Sequence, residues 1–308
     1  MQKRKLFISD ECSPLRTVIL GTAASNGPTP LAEEAYDPKS LAHILAGTYP
    51  LEEAMISEIA AFEAILKKYR VEVLKPRLLK DTNQLFTRDI GFTIEDKFII
   101  GNILPDREAE IEAIRWILTD IDPKQIHRPP VEAHIEGGDV ILWKDYIFIG
   151  TYQGPDYAAH ITARTNQAGI DFIKTLFPHK KIVTFDLIKS RVDPYCNALH
   201  LDCCFQPVGT HQAIAYPGGF RNPQEYAELA ALFGENNIFE ITAAEMYAMN
   251  SNIFSISPQV IVSEENFHRL NDWLREQQYT VETVPYSEIA KQEGLLRCTT
   301  LPLWRANE

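Results

Sequence analysis

Cys298 stands in Leu295-Leu296-Arg297-Cys298-Thr299-Thr300-Leu301-Pro302-Leu303, at the head of a terminal apolar run. A thiolate is the strongest common side-chain nucleophile near neutral pH, and a neighbouring histidine or a cationic substrate can lower its pKa. His200, in His200-Leu201-Asp202, supplies a proton carrier, and the two-residue spacing predicts both polar side chains on one face of a strand. Glu136-Gly137-Gly138-Asp139 and Arg88-Asp89 add carboxylates, and the paired glycines predict a close approach of backbone and ligand. A planar guanidinium suits this set, because its forked donors match carboxylate oxygens. Taken singly, each feature has an ordinary explanation: a buried thiol, a structural histidine, a turn. No second histidine or carboxylate set stands at zinc spacing, so neither a metal nor an organic cofactor is expected.

Chemistry spread from residue 89 to residue 298 needs a fold that gathers it. Helical periodicity is clearest at 51–69, where Ile56, Ile59, Phe62 and Ile65 recur at three- or four-residue spacing, and similar patterns run through 107–118, 159–176, 223–233 and 264–276. Apolar, β-branched runs at 141–151, 181–187 and 252–262 read as strands. The order repeats: a hairpin, a helix, a strand, four times from residue 86 onward. A fifth unit forms if the strand at 298–304 pairs with 16–20 and the helix at 51 and strand at 71 complete it. The expected class is therefore α/β, a five-bladed, pseudo-symmetric α/β propeller of ββαβ modules, occupying 1–308 as one catalytic domain. Each module opens on a polar residue: Asp89, Glu136, His200 with Asp202, Asn250 or Asn252, and Cys298. Polar groups at apolar positions cost free energy unless paired, so their convergence on a central cavity predicts a site.

The bulk numbers limit the partners. A formal charge of −12 over 308 residues argues against nucleic acid or an anionic membrane as partner and is compatible with a small cationic substrate. The basic start, Met1-Gln2-Lys3-Arg4-Lys5, meets Asp10 and Glu11 before any signal-like apolar run develops, and no stretch approaches the roughly 20 apolar residues of a membrane span. A cytoplasmic protein is expected, with homo-oligomerisation left open. Five cysteines form an odd set without a CxxC pair, so reduced thiols are expected, with Cys196, Cys203 and Cys204 as small buried hydrophobes.

Taken in order, Phe86-Thr87-Arg88-Asp89, Glu136-Gly137-Gly138-Asp139-Val140, Arg164-Thr165-Asn166, His200-Leu201-Asp202, Asn252-Ile253-Phe254 and Arg297-Cys298 resemble the motifs of the guanidino-group modifying enzymes. These include arginine deiminases, dimethylarginine dimethylaminohydrolases and arginine:glycine amidinotransferases, and the resemblance runs from residue 16 to residue 304. It implies a five-bladed propeller in which Cys298 attacks the guanidinium carbon, Asp89 and Asp202 hold the nitrogens, and Glu136 pairs with His200 and with substrate. It further implies that His200 protonates the leaving amine and then activates the water that resolves a covalent amidino-thiol. Arg164 and Arg107 match positions that bind a substrate α-carboxylate, and Asn250 or Asn252 a contact to the amino-acid end.

Within the family, dimethylarginine hydrolases typically carry a lysine where Asp202 stands, which favours an unmethylated guanidinium. Glu293-Gly294-Leu295-Leu296, in contrast, resembles the dimethylarginine enzymes. The resulting expectation is a hydrolase turning arginine into citrulline and ammonia, with amidino transfer second and a dimethylarginine hydrolase as the further alternative. Outside the family, a cysteine amidase would use Cys298 and His200 but would not need both Asp89 and Asp202, and a non-catalytic propeller would need neither Cys298 nor His200.

Overall fold

The apolar runs fold as short strands in five three-stranded sheets. The structure, a computed structural model, describes residues 3–306, so Met1 and Gln2 of the basic start lie outside it. The chain enters through β1 (Leu15–Leu20), α1 (Pro38–Leu45), α2 (Glu52–Lys68) and β2 (Glu72–Leu74). A second unit holds β3 (Gly91–Ile94), β4 (Lys97–Ile100), α3 (Glu108–Ala113), α4 (Arg115–Leu118) and β5 (Ile126–His127). The third holds β6 (Val140–Trp143), β7 (Tyr146–Thr151), α5 (Gln167–Leu176) and β8 (Lys181–Asp186). The fourth holds β9 (Phe205–Val208), β10 (Gln212–Ala215), α6 (Pro223–Phe233) and β11 (Ile238–Glu240), followed by α7 (Ala243–Tyr247). The fifth holds β12 (Phe254–Ser257), β13 (Val260–Glu264), α8 (His268–Glu276) and β14 (Thr280–Val284), and β15 (Thr300–Arg305) returns to the first unit.

Every sheet obeys one rule. Two strands pair antiparallel, the chain crosses over through a helix, and the third strand pairs parallel with the middle one, as in β6–β7–β8 and β12–β13–β14. A parallel partner requires such a crossover, because a tight turn can only reverse the chain. In the first unit the outer strand of the hairpin comes from far along the chain: β15 pairs antiparallel with β1, which pairs parallel with β2. The chain is thus a five-bladed α/β propeller of ββαβ modules.

Helix α2 buries Met55, Ile59, Phe62 and Leu66 along one face, while Ile56 and Ile65 lie nearer its edge. The buried face thus keeps the predicted Ile59 and Phe62 and takes Met55 and Leu66 in place of Ile56 and Ile65. Glu52 and Glu53 in its first turn and Lys67 and Lys68 in its last complement the helix dipole. Other boundaries also differ from expectation. The helix predicted from 159 begins at Gln167, where the Asn166 side chain accepts the Gly169 amide at 2.9 Å as a cap. The helix predicted over 107–118 breaks at Ile114. Cys196 is exposed, whereas Cys203 and Cys204 are buried as expected. Among the described residues no helix is long and apolar enough to cross a membrane.

Candidate active site

The polar residues that open the modules do not lie in strands. Asp89 precedes β3, Glu136 precedes a single 3-10 turn at Gly137–Asp139, His200 and Asp202 sit at and within the turn Leu201–Cys203, Asn252 precedes β12 and Cys298 precedes β15. The strand predicted through His200-Leu201-Asp202 is therefore a turn, and its Leu201 amide donates to Asp139 Oδ1 at 3.0 Å, tying the heads of two blades together. Gly137 and Gly138 are needed for packing within the protein. A Cβ on Gly138 would stand 2.6 Å from Cγ and Nδ1 of His200, and one on Gly137 would stand 2.2 Å from the Arg88 carbonyl. These approaches are to side chain and backbone, where a ligand was predicted.

The Cys298 loop is held from both sides. Leu295, Leu296, Leu301 and Leu303 are fully buried around it. The Cys298 amide donates to Asn252 Oδ1 at 3.1 Å, the Arg88 amide donates to the Cys298 carbonyl at 3.1 Å, and Asn252 Nδ2 donates to Cys298 Sγ at 3.1 Å. The sulfur lies 3.7 Å and 3.9 Å from the two Asp202 oxygens. Cys298, His200 and Asp89 line one cavity of about 260 Å³, together with Arg107 and Arg164. Asp202, Glu136 and Asn252 stand behind that wall, and Asn250 lines a different cavity, beside Tyr247 and Arg269.

Each acid of the set already has a basic partner. Glu136 Oε2 pairs with His200 Nε2 at 2.8 Å, and Arg164 Nη1 donates to its carboxylate at 3.2 Å and 3.3 Å. Arg107 donates to Asp89 Oδ2 at 2.9 Å and also grips Glu110. Arg297 donates to Asp202 Oδ2 at 2.7 Å. Among the described residues no donor reaches the buried Asp89 Oδ1, and His200 Nδ1 lies 3.8 Å away.

These contacts set the protonation states. Burial alone would lower the His200 pKa, but the Asp89 charge and the Glu136 hydrogen bond raise it to about 8. Burial likewise opposes the Glu136 charge, yet Arg164 and His200 hold its carboxyl at about 2. Burial, followed by the charges of Asp202 and Asp89, pushes the Cys298 thiol well above its ordinary range. With the cavity empty the site therefore pairs a neutral thiol with an imidazolium near neutrality. Asp89, Glu136 and His200 also offer ligand atoms within 4.8 Å of one another. A metal ion placed there would have to displace the proton of His200 and compete with Arg107 and Arg164 for the two acids.

The family model for N,N dimethylarginine dimethylhydrolase, eukaryotic, matches residues 48–305. The chain belongs to this family. It thereby belongs with the guanidino-group modifying enzymes. The uncharacterized protein YkgA of Bacillus subtilis (strain 168) is 29% identical over 244 residues, covering 78% of this chain and 77% of that protein. An arginine deiminase of Mycoplasma capricolum is 26% identical over 216 residues, but the match covers 59% of this chain and only 50% of the deiminase. Among solved structures, SxtG, an amidinotransferase from Microseira wollei, superposes with a TM-score of 0.75 at 15% identity over 98% of both chains, a likeness of fold.

Within this guanidino-modifying scaffold, several buried groups went unrecognised in sequence. Arg297, beside Cys298, is 1% exposed and bridges Asp202 to Glu11, donating to Glu11 at 3.0 Å and 3.2 Å and to the Val140 carbonyl at 2.7 Å. The only signal for it was adjacency to Cys298. The segment between β1 and α2 contributes α1, whose N-cap Asp37 accepts the Ser40 amide at 2.7 Å, and Tyr36, whose carbonyl accepts from Arg164 at 3.3 Å. Asp37 and Glu293 line the same cavity as Cys298. Polar residues in a connecting segment carry no periodicity, so nothing in the sequence marked Tyr36 and Asp37, and Glu293 was quoted only as part of the run before Cys298.

Proposed function

We propose that this protein hydrolyses the guanidinium group of arginine or a close analogue through a covalent Cys298 amidino intermediate, with the five blades acting as one catalytic unit. The observation that carries this reading is the buried, donor-free Asp89 Oδ1 facing the cavity that also holds Cys298 and His200. A buried acceptor without a donor is costly, and a guanidinium nitrogen would satisfy it. Asp202 Oδ1, beyond the sulfur and free of Arg297, is the second acceptor.

Chemistry follows from the resting charges. Arrival of a cation between Asp89 and Asp202 offsets the two charges that hold the Cys298 proton, and the thiol gives that proton to solvent. The thiolate attacks the guanidinium carbon, forming a neutral tetrahedral adduct. His200, already protonated, donates to the departing nitrogen, which leaves as an amine and returns the adduct to a planar, cationic thiouronium. Neutral His200 then takes a proton from water as its oxygen attacks the same carbon, and collapse releases the ureido product while the adduct's hydroxyl proton passes to the departing Cys298 sulfur, restoring the thiol and the imidazolium. Glu136 fixes the imidazole by accepting from Nε2. Arg164 and Arg107 stand at the substrate end, and a substrate carboxylate would have to share them with Glu136, Asp89 and Glu110.

Arginine is the first substrate reading, because Asp202 stands where a lysine is usual in dimethylarginine enzymes. The matched family model favours methylated arginines as the second. The test is product analysis with arginine, methylated arginines, agmatine and citrulline, with Cys298→Ala as control. Citrulline and ammonia from arginine, absent in the variant, support the first reading; methylamine or dimethylamine support the second. Ornithine released from arginine only when an acceptor amine is added would replace hydrolysis by transfer. Ornithine from citrulline alone would replace the cationic substrate by a neutral one, which the arginine pairing of Asp89, Asp202 and Glu136 would accommodate.

A further inference from the structure

Glu293 is a buried acid that the chemistry above does not use. It is 5% exposed and lines the cavity that holds Cys298. Its Oε1 accepts from Asn197 Nδ2 at 2.6 Å, but its Oε2 is buried with no hydrogen-bond donor among the described residues. Asp37, another buried carboxyl on the same cavity, lies within side-chain hydrogen-bonding reach of it. Lys39, whose charge acts on Glu293, makes its direct contacts elsewhere: its Nζ donates to the Tyr247 carbonyl at 2.5 Å and lies 4.5 Å from the Tyr247 ring centroid. Two carboxyl groups meeting in a buried cavity need a shared proton or a cation between them. Burial and the Asp37 charge raise the Glu293 pKa well above its usual range, which is the shared-proton state.

We propose that Glu293 and Asp37 form a subsite for a primary ammonium, the amine at the end of the substrate away from the carbon that Cys298 attacks. This rests on the reading of the cavity as the site for an arginine-like molecule and adds what selects its other end. An ammonium placed against Oε2 supplies the missing donor and takes over the role of the shared proton. Binding of the amine therefore releases a proton from the Glu293–Asp37 pair, with Lys39 and Asn197 the other polar groups facing it. A ligand lacking the amine leaves the pair protonated and releases none there.

The experiment is titration calorimetry of Cys298→Ala with L-arginine and with 5-guanidinopentanoate, which lacks only the α-amine, each in two buffers of different ionisation enthalpy. Glu293→Gln and Asp37→Asn are then added singly; asparagine caps a helix as well as aspartate, so α1 is preserved. Either substitution should weaken arginine roughly tenfold to a hundredfold, leave 5-guanidinopentanoate within about twofold, and abolish the extra proton released with arginine. Equal weakening of both ligands, or an unchanged proton count, would overturn the subsite, as would failure of arginine to bind. Turnover by the wild-type protein is measured in parallel: no guanidine consumed, with Glu293-dependent arginine binding intact, would remove the hydrolase reading and leave the subsite standing.

Discussion

Replacing Arg297 by methionine should destabilise the protein more than any substitution at the surface. The guanidinium is 1% exposed and compensates Glu11 and Asp202, which are 6% and 0% exposed. The Glu11 carboxyl lies at about 2 against an ordinary 4.5, with Arg297 the largest favourable contributor and Arg88 the next. That depression corresponds to roughly 3 kcal/mol at neutral pH, and breaking a buried pair by removing one partner costs about 3–5 kcal/mol. For a chain of this size the loss should lower Tm by roughly 5–10 °C. The sign with pH is fixed by the direction of the shift. A carboxyl held low contributes its stability above about 4.5 and loses it as pH falls towards 2. The gap between wild type and Arg297→Met should therefore be widest above pH 5 and narrow in acid, and adding Glu11→Leu should recover part of it. Urea unfolding from pH 3 to pH 8 measures this, and a gap below about 1 kcal/mol, far under the cost of a broken buried pair, or one that does not change with pH, would refute the reasoning.

Gly138→Ala should cost about 1–3 kcal/mol by overpacking and cut activity at least tenfold, because the new Cβ would meet the His200 ring at 2.6 Å; normal turnover with normal Tm would contradict this. The rate on substrate should fall as pH rises through about 8, where His200 loses its proton. The stability that this raised pKa confers is fully present below 6.5 and fades over the same window, so a kcat/KM profile and a Tm profile should turn together. Asn252→Ala removes the donor to Cys298 Sγ, so alkylation of the thiol by iodoacetamide near pH 8 should slow roughly fivefold to tenfold, and an unchanged rate would mean the amide does not tune the sulfur.

Periodicity carried the architecture because each blade must bury one face of a helix and both faces of a short sheet. Val140–Trp143 and Tyr146–Thr151 are apolar almost throughout for that reason, and the match between the first and last strands followed from needing a partner for each. It misplaced features wherever a polar interaction decides the outcome. The helix near residue 159 was overextended because Asn166, not hydrophobicity, starts it. His200 and Asp202 read as strand residues because alternation cannot be told from a turn over three positions. Cys298, His200, Glu136 and Asp89 were legible because motif order named them, and the structure brings them to one place. Arg107 and Arg164 were also named, but for a substrate carboxylate, whereas the structure pairs them with Asp89, Glu110 and Glu136; Arg297 was quoted only as the neighbour of Cys298, and its burial against Glu11 and Asp202 shows only in the fold.

The strand that completes the first blade, β15, is also the one that Cys298 precedes by two residues. During synthesis the four preceding hairpins emerge from the ribosome in order, but β1 and β2 must wait with one edge uncovered until residues 300–305 appear. A nascent chain that has not yet reached residue 298 therefore carries the acids and histidine of the cavity without the Cys298 sulfur. Closure of the first blade and arrival of Cys298 at the cavity thus become a single event.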